Sequence, residues 1–396
     1  MLPNSGYTVE VVKTIEGVLA LRGVWCTMPT ELDSNIDFYL EVLESRRGEV
    51  LKPHVIILKK DGIPQSILVG RAERKPLKIG FGYKQISLPP VRWLSFVHGG
   101  LLGESSEQIV SELMRSVMNS LKQEADVAWF HQLDGGSIMY QLANQAGGVL
   151  SRDYFPNWND HWTVQLSNTY AEFLRRRSGN TRHNLKRYGK RLTDAFGDQI
   201  KARRFGEVSE VESVLADCES VASRSYHRGL QVGFINSDET CRLMTLAARR
   251  RWLRSYLLYI AGKPCAFWNG FLYQRTFYAW TTAYDPSYQD LRPGLFLLQR
   301  VFEDLCQEQS ADKVDFGYGD AQYKRDWCDQ NRPEVSTFLF APTFKGALLN
   351  AVRTPLLGTS QVTRRFLGRT GLLMKAKKAW RNRLTPRRDA DGAPAG

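Results

Sequence analysis

The chain has 396 residues, about two domains of ordinary size, and its 43% hydrophobic and 24% charged content is that of a globular protein, not a disordered one. The net charge of +13 is concentrated: residues 172–204 hold eleven Lys and Arg against three Asp and Glu, residues 361–396 hold ten against two, each stretch carries +8, and the remainder is slightly acidic at −3. That distribution excludes a uniformly basic nucleic-acid-binding surface.

At the amino terminus, MLPNSGYTVEVVKTIEG lacks the basic start and apolar run of a secretory leader. Nowhere do eighteen uncharged apolar residues stand together, so a cytoplasmic chain without a spanning helix is expected. The stretch HVIILKKDGIPQSILVGRAE reads as a β-hairpin turning at Gly62 and Pro64. A helix is predicted from Ser105 or Ser106, with Ile109, Leu113, Val117 and Leu121 on one face, and the strand DVAWFHQL follows it. The basic stretch FLRRRSGNTRHNLKRYGKRL comes next; at helical spacing it sets Arg182, Lys186 and Lys190 on one face, suited to an anionic partner. Two helical stretches, beginning near Glu207 and Ser237, lead into a second hairpin, SYLLYIAGKPCAFWNGFLYQ, in which Gly262, Pro264 and Gly270 repeat the spacing of Gly62, Pro64 and Gly70. A helix and the strand KVDFGYG follow, so two units of hairpin, helix and strand are expected. After about Ala341 the pattern decays into a basic tail, with disorder expected from about residue 385. The domain reading is therefore a degenerate first unit over 1–165, a second unit over 166–345 and a tail over 346–396.

Six cysteines lie far apart with no C-x-x-C pair, and six histidines show no H-E-x-x-H or H-x-H pairing; reduced thiols and no metal site are expected. Two stretches are able to carry chemistry. In AYDPSYQDLRPGLFLL a strand gives way to a helix at Gly294, where backbone amides and the helix dipole suit a phosphate. In KVDFGYGDAQYKRDW, Asp315, Asp320, Tyr323 and Lys324 gather at the end of a strand. Either aspartate is a candidate base toward an attacking amine or hydroxyl, and Tyr323 or Lys324 a candidate donor to an oxyanion or a leaving thiolate.

These stretches, the helix pair and the Gly-x-Pro hairpin together resemble the GNAT-type acyltransferases associated with cellulose and exopolysaccharide gene clusters, themselves similar to Fem-type transferases with tandem GNAT-like units. The resemblance covers about Glu172 to Phe340. Its most specific element is DFGYGDAQYKRDW, which matches D-F-G-x-G-x-x-x-Y-K-x-x-W, and Ser178, Arg182, Lys186 and Arg187 follow the pattern S-x-x-x-R-x-x-x-R-R. It implies an α/β (mixed α+β) fold of two GNAT-like units, each a mixed sheet flanked by helices. It also implies acetyl-CoA or another acyl-CoA as co-substrate, seated on Gln289, Arg292, Pro293, Gly294 and Leu295, without a metal. The signature Q/R-x-x-G-x-G/A is partly kept there: Gln289 or Arg292 takes its first position and Gly294 a glycine, but Leu295 or Phe296 stands where a second small residue belongs. Arg182, Lys186, Arg187 and Trp280 are the candidate substrate-binding residues. The function expected is N- or O-acyl transfer to an amine or hydroxyl acceptor in exopolysaccharide or envelope biosynthesis, with the basic tail touching an anionic membrane surface. A Fem-type transfer from charged tRNA and a non-catalytic binding protein of the same fold are the alternatives.

Overall fold

A computed structural model describes residues 6–81, 84–225, 228 and 233–369. The chain divides into two units, each a mixed sheet flanked by helices: the first runs to Thr163 and resumes over 316–324 and 328–364, and the second takes up 164–315 and 325–327. The first unit holds β1 (Tyr7–Val12), β2 (Val50–Pro53), β3 (Val55–Lys60), β4 (Ile63–Phe81), β5 (Lys84–Gly103), β6 (Val127–Asp134) and most of β7 (Asn157–Gln165). The second holds β8 (Ile200–Phe205), β9 (Leu253–Ile260), β10 (Lys263–Tyr273), β11 (Thr276–Tyr284) and the first half of β12 (Lys313–Tyr318). The last strand, β13 (Gln330–Phe340), belongs to the first unit and pairs antiparallel with both β6 and β7.

The two units repeat each other at corresponding turns and strand pairings. The β3–β4 turn has Asp61 at φ 50° and Gly62 at φ 79°; the β9–β10 turn has Ala261 at 50° and Gly262 at 77°. Two left-handed residues in succession make the tight turn whose twist suits a hairpin, and glycine takes the second place without a Cβ penalty. In each hairpin the register then skips one residue, Gln65 and Cys265. In the first unit β4 pairs antiparallel with β5 and β5 parallel with β6; in the second the same holds for β10, β11 and β12. The pattern A-D-x-x-x-F-x-x-x-D occupies Ala125 to Asp134 and again Ala311 to Asp320. Its first aspartate receives a guanidinium in both copies: Arg92 Nη2 at 3.0 Å from Asp126 Oδ1, and Arg275 Nε at 2.7 Å from Asp312 Oδ2.

The helices bury the faces their spacing assigns. The Glu107–Glu124 helix begins after Ser106 and buries Ile109, Leu113, Val117 and Leu121 in the core that holds the stacked rings of Phe96 and Phe130, 4.8 Å apart. Each such side chain stabilises the fold by about 1.5–3 kcal/mol. In the second unit the Pro293–Glu308 helix buries Leu297, Val301, Phe302 and Leu305, and the Phe302 ring lies 4.6 Å from both Phe173 and Trp327.

Residues 328–364, expected to finish the second unit and begin the tail, group instead with the first unit. The Phe344–Arg369 helix runs through the expected tail and buries Asn350, Arg353 and Ser360. Arg353 pairs with Asp153 through Nη1 at 2.5 Å and Nη2 at 3.2 Å, and its guanidinium lies 4.6 Å from the Phe338 ring. An ion pair reaching back 200 positions leaves no local signature, and Pro355 inside the helix reads as a breaker. The apolar residues Leu372, Leu373, Met374 and Trp380, and the stretch from 385, lie outside the described residues. Among the described residues no helix is long and apolar enough to cross a membrane.

Candidate active site

In the second unit β11 pairs with β10 as far as Tyr284, whereas its parallel ladder with β12 ends at Tyr278, opposite Asp315. A register shift in the β10 pairing leaves Trp280 as the bulged residue of β11, 36% exposed and 5.0 Å from the Phe271 ring. After β11 a turn of 3-10 helix, Pro286–Leu291, is fixed by Asp285, whose Oδ1 accepts from the Ser287 amide at 2.9 Å and whose Oδ2 is held by Arg224 at 2.6 Å. The turn contains Gln289, whose carbonyl accepts from the Arg292 amide. The chain then passes through Arg292 in the left-handed region (φ 53°, ψ 51°), and the helix starts at Pro293.

The amides of Leu295 and Phe296 close onto the Arg292 carbonyl at 3.0 and 3.2 Å. An anion at this helix start would therefore be met by the Gly294 amide and the flanking cations, at the positive end of the helix dipole. A Cβ on Gly294 would touch the Tyr284 side chain at ordinary van der Waals distance, 3.7 Å, so it fits without a clash.

The Gly179–Phe196 helix turns Thr181, Leu185 and Leu192 inward and leaves Arg182, Lys186, Arg187 and Lys190 exposed. Tyr188 ties this helix to the helix start: the Arg187 guanidinium lies 4.6 Å from its ring and that of Arg292 5.8 Å. The hydrogen bond from Arg187, helped by Arg292, pulls the Tyr188 phenol below its usual pKa. The fold thus gathers Arg187, Gln289, Arg292, Pro293, Gly294 and Leu295 in one region, with Arg182 and Lys186 further along the same basic helix.

The motif at the end of β12 separates into different roles. Asp315 is buried in the second unit, opposite Tyr278. Asp320, Tyr323 and Lys324 group with the first unit: Asp320 is exposed, and the Tyr323 ring packs edge-on to Phe316 at 5.6 Å. Lys324, expected as a proton donor, is buried and gives its ammonium to the carbonyls of Gly317 at 3.3 Å and Tyr318 at 2.8 Å. It closes the turn in which Gly317 and Gly319 have φ of 65° and 89°. Trp327 is fully buried, with its carbonyl held by Arg177.

A buried charge network lies in the first unit, where spacing gave no sign of it. Its β5–β6 ladder also stops short, at Phe96 opposite Phe130. Beyond that point His98 Nδ1 lies 3.1 Å from Glu31 Oε2 and its Nε2 3.5 Å from Glu334 Oε1, while His161 Nδ1 lies 2.9 Å from Glu334 Oε2. Arg332 donates to Glu334 Oε1 at 2.9 and 3.2 Å. Burial opposes charge on both sides of this cluster, but the hydrogen bonds win: those from His161 and His98 hold Glu334 well below the usual carboxylate range, and Glu334 and Glu31 raise His98 to about 9. Burial, reinforced by the charges of His98 and Arg71, holds His131 down at about 3. Beside the cluster, Arg71 and Ser95 bond the two oxygens of Glu73, each at 2.5 Å.

Residues 179–325 match the sequence model of the acetyltransferase (GNAT) domain. Among solved structures, the chain resembles the C-terminal DUF2156 domain of a putative lysylphosphatidylglycerol synthetase from Agrobacterium fabrum, with 11% identity and a TM-score of 0.48 over 85% of this chain and 96% of that one. It resembles FemX with 11% identity and a TM-score of 0.48, over 75% and 90% of the two chains. A tandem GNAT protein from the clavulanic acid biosynthesis pathway matches with 12% identity and a TM-score of 0.45, over 84% and 98%. No curated protein matches the sequence. The chain is an enzyme of the transferase class, and its residues 179–325 are similar to the acetyltransferase (GNAT) domain.

Proposed function

We propose that the protein transfers an acyl group, acetyl in the first instance, from coenzyme A to an amine or hydroxyl acceptor in the second unit. The observation that carries this reading is the parting of β11 from β12 after Tyr278 and Asp315. Beyond that point one edge of β11 has no ladder partner in β12, and the strand leads to the helix start at Gly294, flanked by Arg187 and Arg292. An extended ligand carrying amides can pair with such an edge while its pyrophosphate meets the helix start. The match of residues 179–325 to the acetyltransferase domain supports the same donor.

In this reading Asp315 accepts the proton of the attacking amine or hydroxyl, the thioester C–S bond breaks as the new C–N or C–O bond forms, and the proton passes to the departing thiolate. Calorimetry with coenzyme A on the full chain tests the donor. Gly294→Val should leave thermal unfolding nearly unchanged, since a Cβ fits there without a clash, and weaken binding tenfold or more. Asp315→Asn should keep binding and lower turnover by about a hundredfold. A folded wild type that ignores coenzyme A but binds charged tRNA would move the donor to the alternative, which the exposed cations of the basic helix favour.

The role in exopolysaccharide or envelope metabolism rests on the sequence resemblance. It is joined by an interfacial surface: Phe344, Leu348 and Val352 recur at four-residue spacing, 86, 51 and 38% exposed, on the helix that leads into the basic tail. Sedimentation with phosphatidylglycerol vesicles, but not phosphatidylcholine vesicles, is the expected result; equal recovery with both removes this part of the reading.

A further inference from the structure

We propose that His98, His161 and Glu334 form a site for a divalent transition-metal cation, zinc being the best fit, within the first unit. The donor atoms, two imidazole nitrogens and a carboxylate oxygen, all lie within 4.8 Å of one another. Two of the separations are 2.9 Å, from His161 Nδ1 to Glu334 Oε2, and 3.5 Å, from His98 Nε2 to Glu334 Oε1. Zinc bound at about 2.0–2.1 Å with tetrahedral angles needs its ligands about 3.3 Å apart, so donors within 4.8 Å of one another close on a cation by side-chain shifts of on the order of an ångström.

The surroundings are built as a metal site requires. Glu31 holds the far nitrogen of His98 at 3.1 Å. A carboxylate there keeps a ring proton on Nδ1, the usual support of a metal-bound histidine, and a cation would take the Nε2 position in exchange for the proton that Nε2 otherwise gives to Glu334. Arg332 donates from two nitrogens to Glu334 Oε1, leaving Oε2, beside His161, as the oxygen for the cation. The backbone supplies the approach: β5 makes a four-residue excursion, Val97 to Gly100, opposite the single Val69 of β4. Gly99 has φ 60°, and a Cβ there would strike the Glu31 side chain at 2.9 Å. His161 and Glu334 are 3% and 1% exposed, so water competes little for the donors. The set contains no thiolate, which favours zinc over softer ions. Three protein donors also leave a coordination position for water or a ligand oxygen, as in sites that act on a bound molecule.

The full chain, stripped with EDTA and titrated with Zn²⁺ by calorimetry, should bind one equivalent and unfold at a higher temperature in its presence. His161→Ala should abolish this binding. If that buried variant does not fold, Glu31→Gln, at a half-exposed position, decides: loss of the supporting carboxylate should weaken zinc binding by about 10–100-fold. Co²⁺ in place of zinc should give visible bands without thiolate charge transfer, which separates this site from the free cysteines. A folded, stripped wild type that takes up no zinc overturns the proposal. So does zinc affinity unchanged by Glu31→Gln, or a cobalt spectrum dominated by thiolate.

Discussion

Lys324 and Trp327 stand in the stretch whose order resembles a known family most closely, yet one clamps a glycine turn and the other fills an aromatic core. Much of that motif is scaffold: a turn with φ of 65° and 89° at its two glycines needs its carbonyls held. The histidines and glutamate of the first unit show the converse. They were illegible because His161 and Glu334 meet across 173 positions, and no spacing rule reaches that far. Glu73 allows a quantitative check at this scale. Burial alone would raise its carboxyl, but the charges of Arg71 and Lys75 and the hydrogen bonds of Lys75 and Ser95 hold it down to about 2. Its folded value lies below the ordinary 4.5, so the stability it contributes is present above that value and is lost as pH falls toward 2. Glu73→Gln should cost about 3–5 kcal/mol at neutral pH by leaving Arg71 buried without its partner. Thermal melts of the variant and the wild type should converge between pH 4.5 and 2. Parallel curves would show that the pair is not coupled to folding.

At the scale of elements, the repeat was announced by two Gly-x-Pro turns and proved deeper than the turns. Gly70 and Gly270 lie on β4 and β10, where a Cβ would meet Phe96 at 2.6 Å and Phe277 at 2.4 Å. Each glycine lets an aromatic ring of the neighbouring strand come close to the backbone. Gly70→Ala and Gly270→Ala should each destabilise by about 1–3 kcal/mol through overpacking. Gly23→Ala, with nothing within 4 Å of the added carbon, should be neutral or slightly stabilising. Chemical denaturation of the three variants checks this, and a neutral result at both strand positions would mean the rings can swing aside. The Glu107–Glu124 helix was legible from four-residue spacing because it buries one face. β13 was not read as a strand of the first unit, since its partners β6 and β7 lie far back in the chain.

At the scale of the whole molecule, the first unit is discontinuous: its sheet is completed by β13, and its fold by the helix that carries Asn350, Arg353 and Ser360. A chain stopped after Ser360 should keep nearly all its stability, because those side chains remain. A chain stopped after Ala341 breaks the Arg353–Asp153 pair and should lose about 3–5 kcal/mol from the first unit. Hydrogen exchange on β6 and β13 locates the loss, and equal protection in the two truncations would show that the helix is dispensable. The pattern reading ended the fold near Ala341 because the residues that this helix buries, Asn350, Arg353 and Ser360, are polar, while its periodic apolar residues Phe344, Leu348 and Val352 are exposed.

The late position of β13 also governs how the protein comes off the ribosome. Strand β6 is synthesised early, but the strand that covers its outer edge appears only after the whole second unit. At about 5–20 residues per second, that edge waits on the order of ten seconds or more. An uncovered edge strand is a template for pairing with other nascent chains. The first 163 residues expressed alone should therefore aggregate, and yield in the cell should depend on a chaperone that shields β6 until the carboxy-terminal residues arrive.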